Sequence, residues 1–386
     1  MRKTLHSDAS VSFEMSVINP DGSIARALPK RRNLLLDKGL NQLALSSWIE
    51  LFSFFALGTT SNPTSRDSGL ITVTIAGGTA MASAGFFEAA DVGRLIKCDS
   101  GEERYITAYT SPTVVTVAGS DVAASQFTVW YVNDTSLGAE DHRFNTMTAD
   151  AGDHGYSWNG VTGILSTWKT MISNAVTVGA ITFKEIGWSN SGSTADGVNG
   201  RALINAGVGD TLVTGQRYKV KLTLDRTFSP ATPRACPAIA GWGGTAQEQI
   251  EEIMVSYWTP GGGNSTGGVL EPKSGNTFAL STASDALRAP VFYPDAHQPM
   301  IGAWIDGTWI DGTLAAYVSN TFYRDQSVVF DAGVSTGPNV RSITTRADYY
   351  GPYFVHRMLM DADHAKTSAD KLTFTYRKSW GRNLIN

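Results

Sequence analysis

The chain has 386 residues, 42% hydrophobic and 17% charged, with 39 glycines and a formal charge of −4. This is too apolar for a disordered polypeptide and too long for one ordinary core, so two or three domains are expected. Charged residues make up about 25% of a typical soluble chain, and the deficit here predicts strands and turns in place of salt-bridged helices. The small negative charge, without a block of like charges, excludes a field that would gather nucleic acid or anionic lipid.

The first element is a strand. Val11, Phe13, Met15 and Val17 alternate with Ser12, Glu14, Ser16 and Ile18, and Asn19-Pro20-Asp21-Gly22 follows with turn chemistry, so a β-hairpin is expected to open the protein. After Lys30-Arg31-Arg32, the spacing of Leu36, Leu40 and Leu43 predicts one short helix with Asn33 or Asp37 as its cap. Phe52–Gly58 reads as a buried strand that ends at the turn-rich Thr59–Gly69. The run Leu51–Leu57 is far short of the roughly 20 residues that a membrane-spanning helix needs. The Met1-Arg2-Lys3 start lacks the apolar stretch of a secretory signal, so synthesis in a cytoplasm is expected.

From Leu70 to Asn133 the texture changes to short strands at Leu70–Ile75, Arg94–Cys98, Arg104–Tyr109, Val114–Val117 and Phe127–Val132. These predict an inserted small barrel or sandwich over 69–133, with Phe86, Phe87, Leu95, Ile106 and Trp130 in its core and a helical turn at Ala89–Gly93. The flanking segments 1–68 and 134–244 then form one discontinuous β-sandwich-like domain. Its strands are Gly163–Met171, Gly179–Trp188 and Gln216–Leu224, and the last sets Tyr218, Val220, Leu222 and Leu224 against Arg217, Lys219, Lys221 and Thr223. Asn190–Gly200 is a Ser/Gly/Asn-rich loop.

A third β-rich region spans 245–386. Thr245–Glu252 reads as a modest helix, with strands near Thr277–Leu280, Ser327–Phe330, Val340–Thr345 and Leu372–Lys378. The fold class is thus mainly β, a multidomain β-sandwich or barrel protein with one or two short helices. Trp304-Ile305-Asp306-Gly307-Thr308 is repeated directly as Trp309-Ile310-Asp311-Gly312-Thr313, which suits a tight hairpin or a tryptophan-lined partner or carbohydrate surface.

The sequence announces no reaction. The histidines lack the i, i+4 spacing of metal ligands on a helix, and Gly-x-Ser-x-Gly does not occur. Gly261–Gly268 lacks the Lys-Ser/Thr ending of a phosphate loop. Asp150, Asp153 and His154, and likewise Asp361, Asp363 and His364, read as solvated turns without a full set of ligands for a cation. Cys98 and Cys236 are far apart and read as reduced, partly buried thiols. No catalytic, cofactor or metal residue is assigned. Lys30-Arg31-Arg32 reads as a solvated strand end, or else as a docking patch for an acidic partner or nucleic acid.

Two groups of motifs carry a resemblance. Asn33–Ala44, Phe55-Ala56-Leu57-Gly58-Thr59-Thr60, Phe183-Lys184-Glu185-Ile186-Gly187-Trp188, Arg201-Ala202-Leu203-Ile204 and the Tyr218 strand form the first. The second comprises Ala84–Ile96 and Ala124–Trp130, in the insert. They resemble a recurrent framework, and an inserted module, in structural proteins of tailed bacteriophages and prophages. The resemblance implies a non-enzymatic virion subunit of a tail, baseplate or fibre, assembled as a homo-oligomer (a symmetric ring or trimer) against other virion proteins. A capsid decoration or head-fibre protein would suit the same framework. A glycan-active protein is the other alternative, with host-surface glycan meeting Trp304, Trp309, Tyr349, Tyr350 and Tyr353. No cofactor, nucleic acid or membrane insertion is expected in any of these roles.

Overall fold

The computed structural model describes residues 2–45, 51–146, 154–159, 162–229, 234–236, 246–249, 277–281, 310–333, 337–346 and 354–384. The chain is a mainly β, multi-sheet protein with one α-helix among these residues. The opening hairpin forms as the alternation predicts, from β1 (Arg2–Ile18) and β2 (Ile24–Leu35). Its turn needs glycine, because Gly22 sits at φ +86.

Helix α1 (Asp37–Leu43) buries Leu40 and Leu43, but neither expected residue caps it. Asn33 lies in β2, Asp37 is already helical, and Leu36 occupies the cap position without a side-chain hydrogen bond. Tertiary carbonyls instead take the first two amides of the helix start. The Leu36 amide donates to the Asn199 carbonyl at 3.0 Å and the Asp37 amide to the Val132 carbonyl at 2.8 Å. Leu36 can then be fully buried, a gain of about 1.5–3 kcal/mol that outranks the roughly 1 kcal/mol of a polar cap.

β3 (Phe54–Gly58) is the expected buried strand. The turn-rich stretch after it does not last to Gly69, because β4 (Ser65–Ala76) begins at Ser65 and pairs with β9 (Val122–Trp130). A register shift between Asp67 and Thr72, with Gly69 at φ +59, accounts for the turn-like composition inside a strand. β5 (Thr79–Ala82), β6 (Leu95–Cys98), β7 (Glu103–Ser111) and β8 (Val114–Val117) complete a closed barrel in the order β4-β5-β8-β7-β6-β9. β5 was not expected. It is a short strand returned by Gly77-Gly78, both at positive φ, which is the hairpin chemistry of a two-residue turn.

Phe87 and Ile106 are in the barrel core, with Phe86 packed at its margin. Leu95 and Trp130 are not in it. They pair across the β6–β9 ladder and face outward, into an apolar cluster with Leu34, Leu36, Ala56, Val132, Leu137, Val198 and Leu384. A barrel strand has two faces, and alternation does not say which of them meets a second body. The Ala89–Asp91 turn is a single 3-10 turn whose buried Asp91 accepts from Arg66 at 2.5 Å and from Arg94 at 2.7 Å. Because the barrel carries its own core, residues 63–133 produced alone are expected to unfold in one cooperative transition, with Trp130 emitting as an exposed indole. A disordered amide NMR spectrum would contradict this.

The large sheet continues through β10 (Glu140–Phe144), β11 (His154–Asn159), β12 (Ile164–Ile172), β14 (Glu185–Ser189), β15 (Gly200–Leu203) and β17 (Arg217–Ser229). β13 (Ala180–Phe183) and β16 (Asp210–Val213) form a separate pair. The Asn190–Gly200 loop holds only the 3-10 turn Thr194–Asp196. Register explains the core: Val11, Phe13, Met15 and Val17 stand opposite Leu224, Leu222, Val220 and Tyr218, all at most 2% exposed. A slip of one residue would bring Lys219 and Lys221 inward.

Residues beyond 229 supply two sheets. β18 (Arg234–Cys236), β19 (Ala246–Gln249), β20 (Thr277–Ser281), β21 (Ile310–Asp311), β24 (Gly337–Arg346) and β25 (Phe354–Lys366) form a six-stranded sheet. β22 (Thr313–Leu314), β23 (Tyr323–Phe330) and β26 (Leu372–Arg382) join the large sheet, making twelve strands. The helix expected at Thr245–Glu252 is strand β19 where it is described, paired with β18 and β25 on its two edges. Tertiary pairing overrides the helix propensity of Gln and Glu there. Asp361, Asp363 and His364 likewise lie within β25, not in a turn. At Gly312 the chain passes from one sheet to the other.

One buried cation has a measurable consequence. Lys169 is 8% exposed and donates to the Phe52 carbonyl at 3.1 Å, and burial pulls its ammonium down to about 8. Between that value and the ordinary lysine range the unfolded chain binds more protons, so stability is expected to rise as pH climbs from 7 to 10. The gain is at most about 3 kcal/mol. Lys169→Met should be more stable than the parent at pH 7 and show a flatter profile in urea titrations across that range.

Candidate functional site

The most elaborate polar structure lies where the chain enters and leaves the barrel. β14 and β15 are antiparallel, and both Glu185 and Arg201 are fully buried. Glu185 accepts from the Asn62 amide at 2.6 Å, the Gly138 amide at 2.8 Å and Arg201 Nη1 at 2.8 Å. Arg201 also donates to the carbonyls of Asn62 at 3.0 Å and Pro63 at 2.5 Å, and to Asp134 Oδ2 at 2.6 Å. Asn62 and Pro63 precede β4, while Asp134 and Gly138 follow β9. One ion pair therefore fastens both connections. Burial pushes the Glu185 carboxyl above the usual carboxylate range, against the pull of the two amides and Arg201.

Further ties hold the barrel to the helix and the C-terminal segment. The Tyr105 hydroxyl donates to Asp37 Oδ1 at 2.8 Å, and Arg382 donates to the same oxygen. Burial raises the Tyr105 hydroxyl well above the ordinary tyrosine range, so it remains a donor. Lys97 reaches the Leu384 carbonyl and lies 3.5 Å from Glu103.

Between barrel and sheet is a cleft of about 240 Å³. Its origin is topological. On one edge β1 pairs with β26 in parallel as far as Ala9↔Arg382 and then with β2 in antiparallel from Val11↔Asn33, so the sheet divides at Ser10. Asn33, Arg31 and Arg32 come from β2, Thr64 and Trp130 from the barrel, and Arg201 forms part of the wall. The Asn33 carboxamide (both polar atoms), Trp130 Nε1 and Arg201 Nε are buried without a hydrogen-bond partner. A concave site with an apolar lining and a few convergent polar groups is the usual form of a ligand pocket.

A bulge sets the cationic rim. Phe13 pairs with Arg31 but Met15 pairs with Leu28, so β2 carries an extra residue there and Pro29–Arg32 are all exposed. The triplet is a solvated strand segment, and it also borders the cleft. Lys30 lies 3.4 Å from Glu14, whereas Arg31 and Arg32 make no ion pair or hydrogen bond among the described residues.

Trp304, Trp309, Tyr349, Tyr350 and Tyr353 lie outside the described residues, as do Gly261–Gly268, Asp150 and Asp153. Among the described residues no group of three or more His, Cys, Asp or Glu side chains is placed to hold a metal ion. Cys98 is buried and unbridged, and burial pushes its thiol up to about 11. Sequence reasoning missed Asn33, assigned to a helix cap, and Trp130, assigned to the barrel core. The legible signal for the clasp was a carboxylate in the Phe-Lys-Glu-Ile-Gly-Trp motif and an arginine heading the otherwise apolar Arg-Ala-Leu-Ile motif. No family model, no curated protein and no solved structure matches this chain.

Proposed function

We propose that the chain is a non-enzymatic structural subunit of a tailed-bacteriophage virion, in a tail, baseplate or fibre, which assembles with copies of itself and with neighbouring virion proteins. The observation that carries this reading is the Glu185–Arg201 clasp. Its two members belong to the Phe-Lys-Glu-Ile-Gly-Trp and Arg-Ala-Leu-Ile motifs on which the phage resemblance rests, and they lock both connections of the barrel. A subunit that passes position from one neighbour to the next requires modules held at a fixed angle. An enzyme that closes over its substrate would instead leave such linkers free to hinge.

The test has two parts. Light scattering of the purified full-length chain at micromolar concentration should give a closed oligomer, a ring or trimer, and mass spectrometry of purified particles should detect its peptides. A monomer that is also absent from particles would overturn the reading.

A further inference from the structure

Ser10, Thr64 and Asn383 line the cleft at the division of the large sheet, but among its groups without a hydrogen-bond partner donors outnumber acceptors. Arg31 and Arg32 supply unpaired guanidinium groups, the Trp130 indole a buried N–H, and Asn33 a carboxamide with one acceptor. A neutral sugar carries hydroxyl donors as well as acceptors, and among the cleft's buried groups without a partner the Asn33 oxygen is the one acceptor. A carboxylate only accepts, matches the planar fork of arginine, and satisfies the indole N–H without a donor of its own.

The form of the ligand follows from the strand beside the cleft. Among the described residues, only Leu34 and Leu35 of β2 pair on the side away from β1, so the stretch that holds Arg31 and Arg32 has an open edge. Cationic side chains on such an edge repel a like strand but suit an acidic one. Val11, Leu34 and Leu384 also line the cleft and give it an apolar part, which suits a chain alternating carboxylates with aliphatic residues.

We infer that this cleft and the adjoining β2 edge bind an extended acidic segment of another polypeptide, whose carboxylates meet Arg31 and Arg32 on the two faces of the strand edge and the unpartnered groups of Asn33 and Trp130 in the cleft. This deepens the docking role proposed above and rests on it only for the identity of the carrier. The isolated chain can fail to bind such a segment while still occurring in particles, and it can bind one while being absent from them, so the two failures are distinguishable.

The experiment is fluorescence polarisation of the full-length protein with a labelled peptide alternating glutamate and valine. Saturable binding that weakens with salt is expected, and the glutamine-for-glutamate peptide should not bind. Arg31→Glu with Arg32→Glu, both exposed and therefore tolerated by the fold, should weaken binding about tenfold or more. Trp130→Phe, which keeps a ring but removes the N–H, should weaken it about fivefold, and Lys371→Glu on a remote exposed turn should leave it unchanged. Equal binding of the neutral peptide, or indifference to the double reversal, would overturn the inference. Tighter binding of a heparin oligosaccharide than of the acidic peptide would also overturn it, by making the patch a general polyanion surface.

Discussion

Replacing Arg201 with alanine is expected to destabilise the protein by about 3–5 kcal/mol, the cost of leaving a buried charge without its partner. Glu185 is fully buried, and its remaining partners would be the Asn62 and Gly138 amides. Asp134 would lose its Arg201 contact, and the Asn62 and Pro63 carbonyls would lose their donor. The loss should be local as well as global. Limited proteolysis of Arg201→Ala should cut first at 59–64 and 131–139, whereas cleavage of the parent there should be slow. Glu185→Gln with Arg201→Met should recover part of the stability in urea titrations, because no buried charge then remains at the pair and the glutamine oxygen can still accept from one of the Asn62 and Gly138 amides. Arg26–Asp210 provides the contrast. Its arginine side chain is 37% exposed, and Arg26→Ala should cost about 1 kcal/mol or less. A stability of Arg201→Ala equal to that of the parent would remove the clasp from the account of how the barrel is held.

How much of this was legible in the sequence depends on whether local pattern or distant pairing decided the outcome. β1 and β17 were readable because each has one face in the core, and a period of two leaves a single register. The helix was readable from Leu36, Leu40 and Leu43, but its cap was not, since Asn199 and Val132 supply the carbonyls from distant segments. β19 was unreadable because four residues of Ala, Gln and Glu carry no strand signal until β18 and β25 flank them. The cleft was the least accessible feature. It exists because the C-terminal strand lies parallel to the N-terminal one and stops just before β1 takes up its pairing with the end of β2, a consequence of pairing across nearly the whole chain. The arginines were visible as a charged triplet, but the bulge that exposes them and the barrel wall that faces them were not.

Gly200→Ala is the smallest change with a large expected effect, a loss of about 3 kcal/mol or failure to accumulate as folded protein. A Cβ at this position would lie 2.0 Å from Cη2 and 2.2 Å from Cζ2 of Trp188, far inside contact distance. The ring cannot easily yield, being fully buried and packed edge-on against Phe52 at 6.0 Å. The backbone cannot easily yield either, since Gly200 pairs with Trp188 in the β14–β15 ladder and its neighbour Arg201 is fastened to Glu185. Strain at Gly200 should therefore reach both the clasp and the wall of the cleft. Gly22→Ala separates the two reasons for which a glycine can be needed. It has open space around it but a φ of +86, and about 1 kcal/mol is expected from backbone strain alone. Trp188→Leu opens a cavity by itself, so the combination with Gly200→Ala should lose less than the sum of the two single changes. Thermal denaturation of the four variants checks the ordering. If Gly200→Ala melts with Gly22→Ala, the indole is not the wall that position 200 meets.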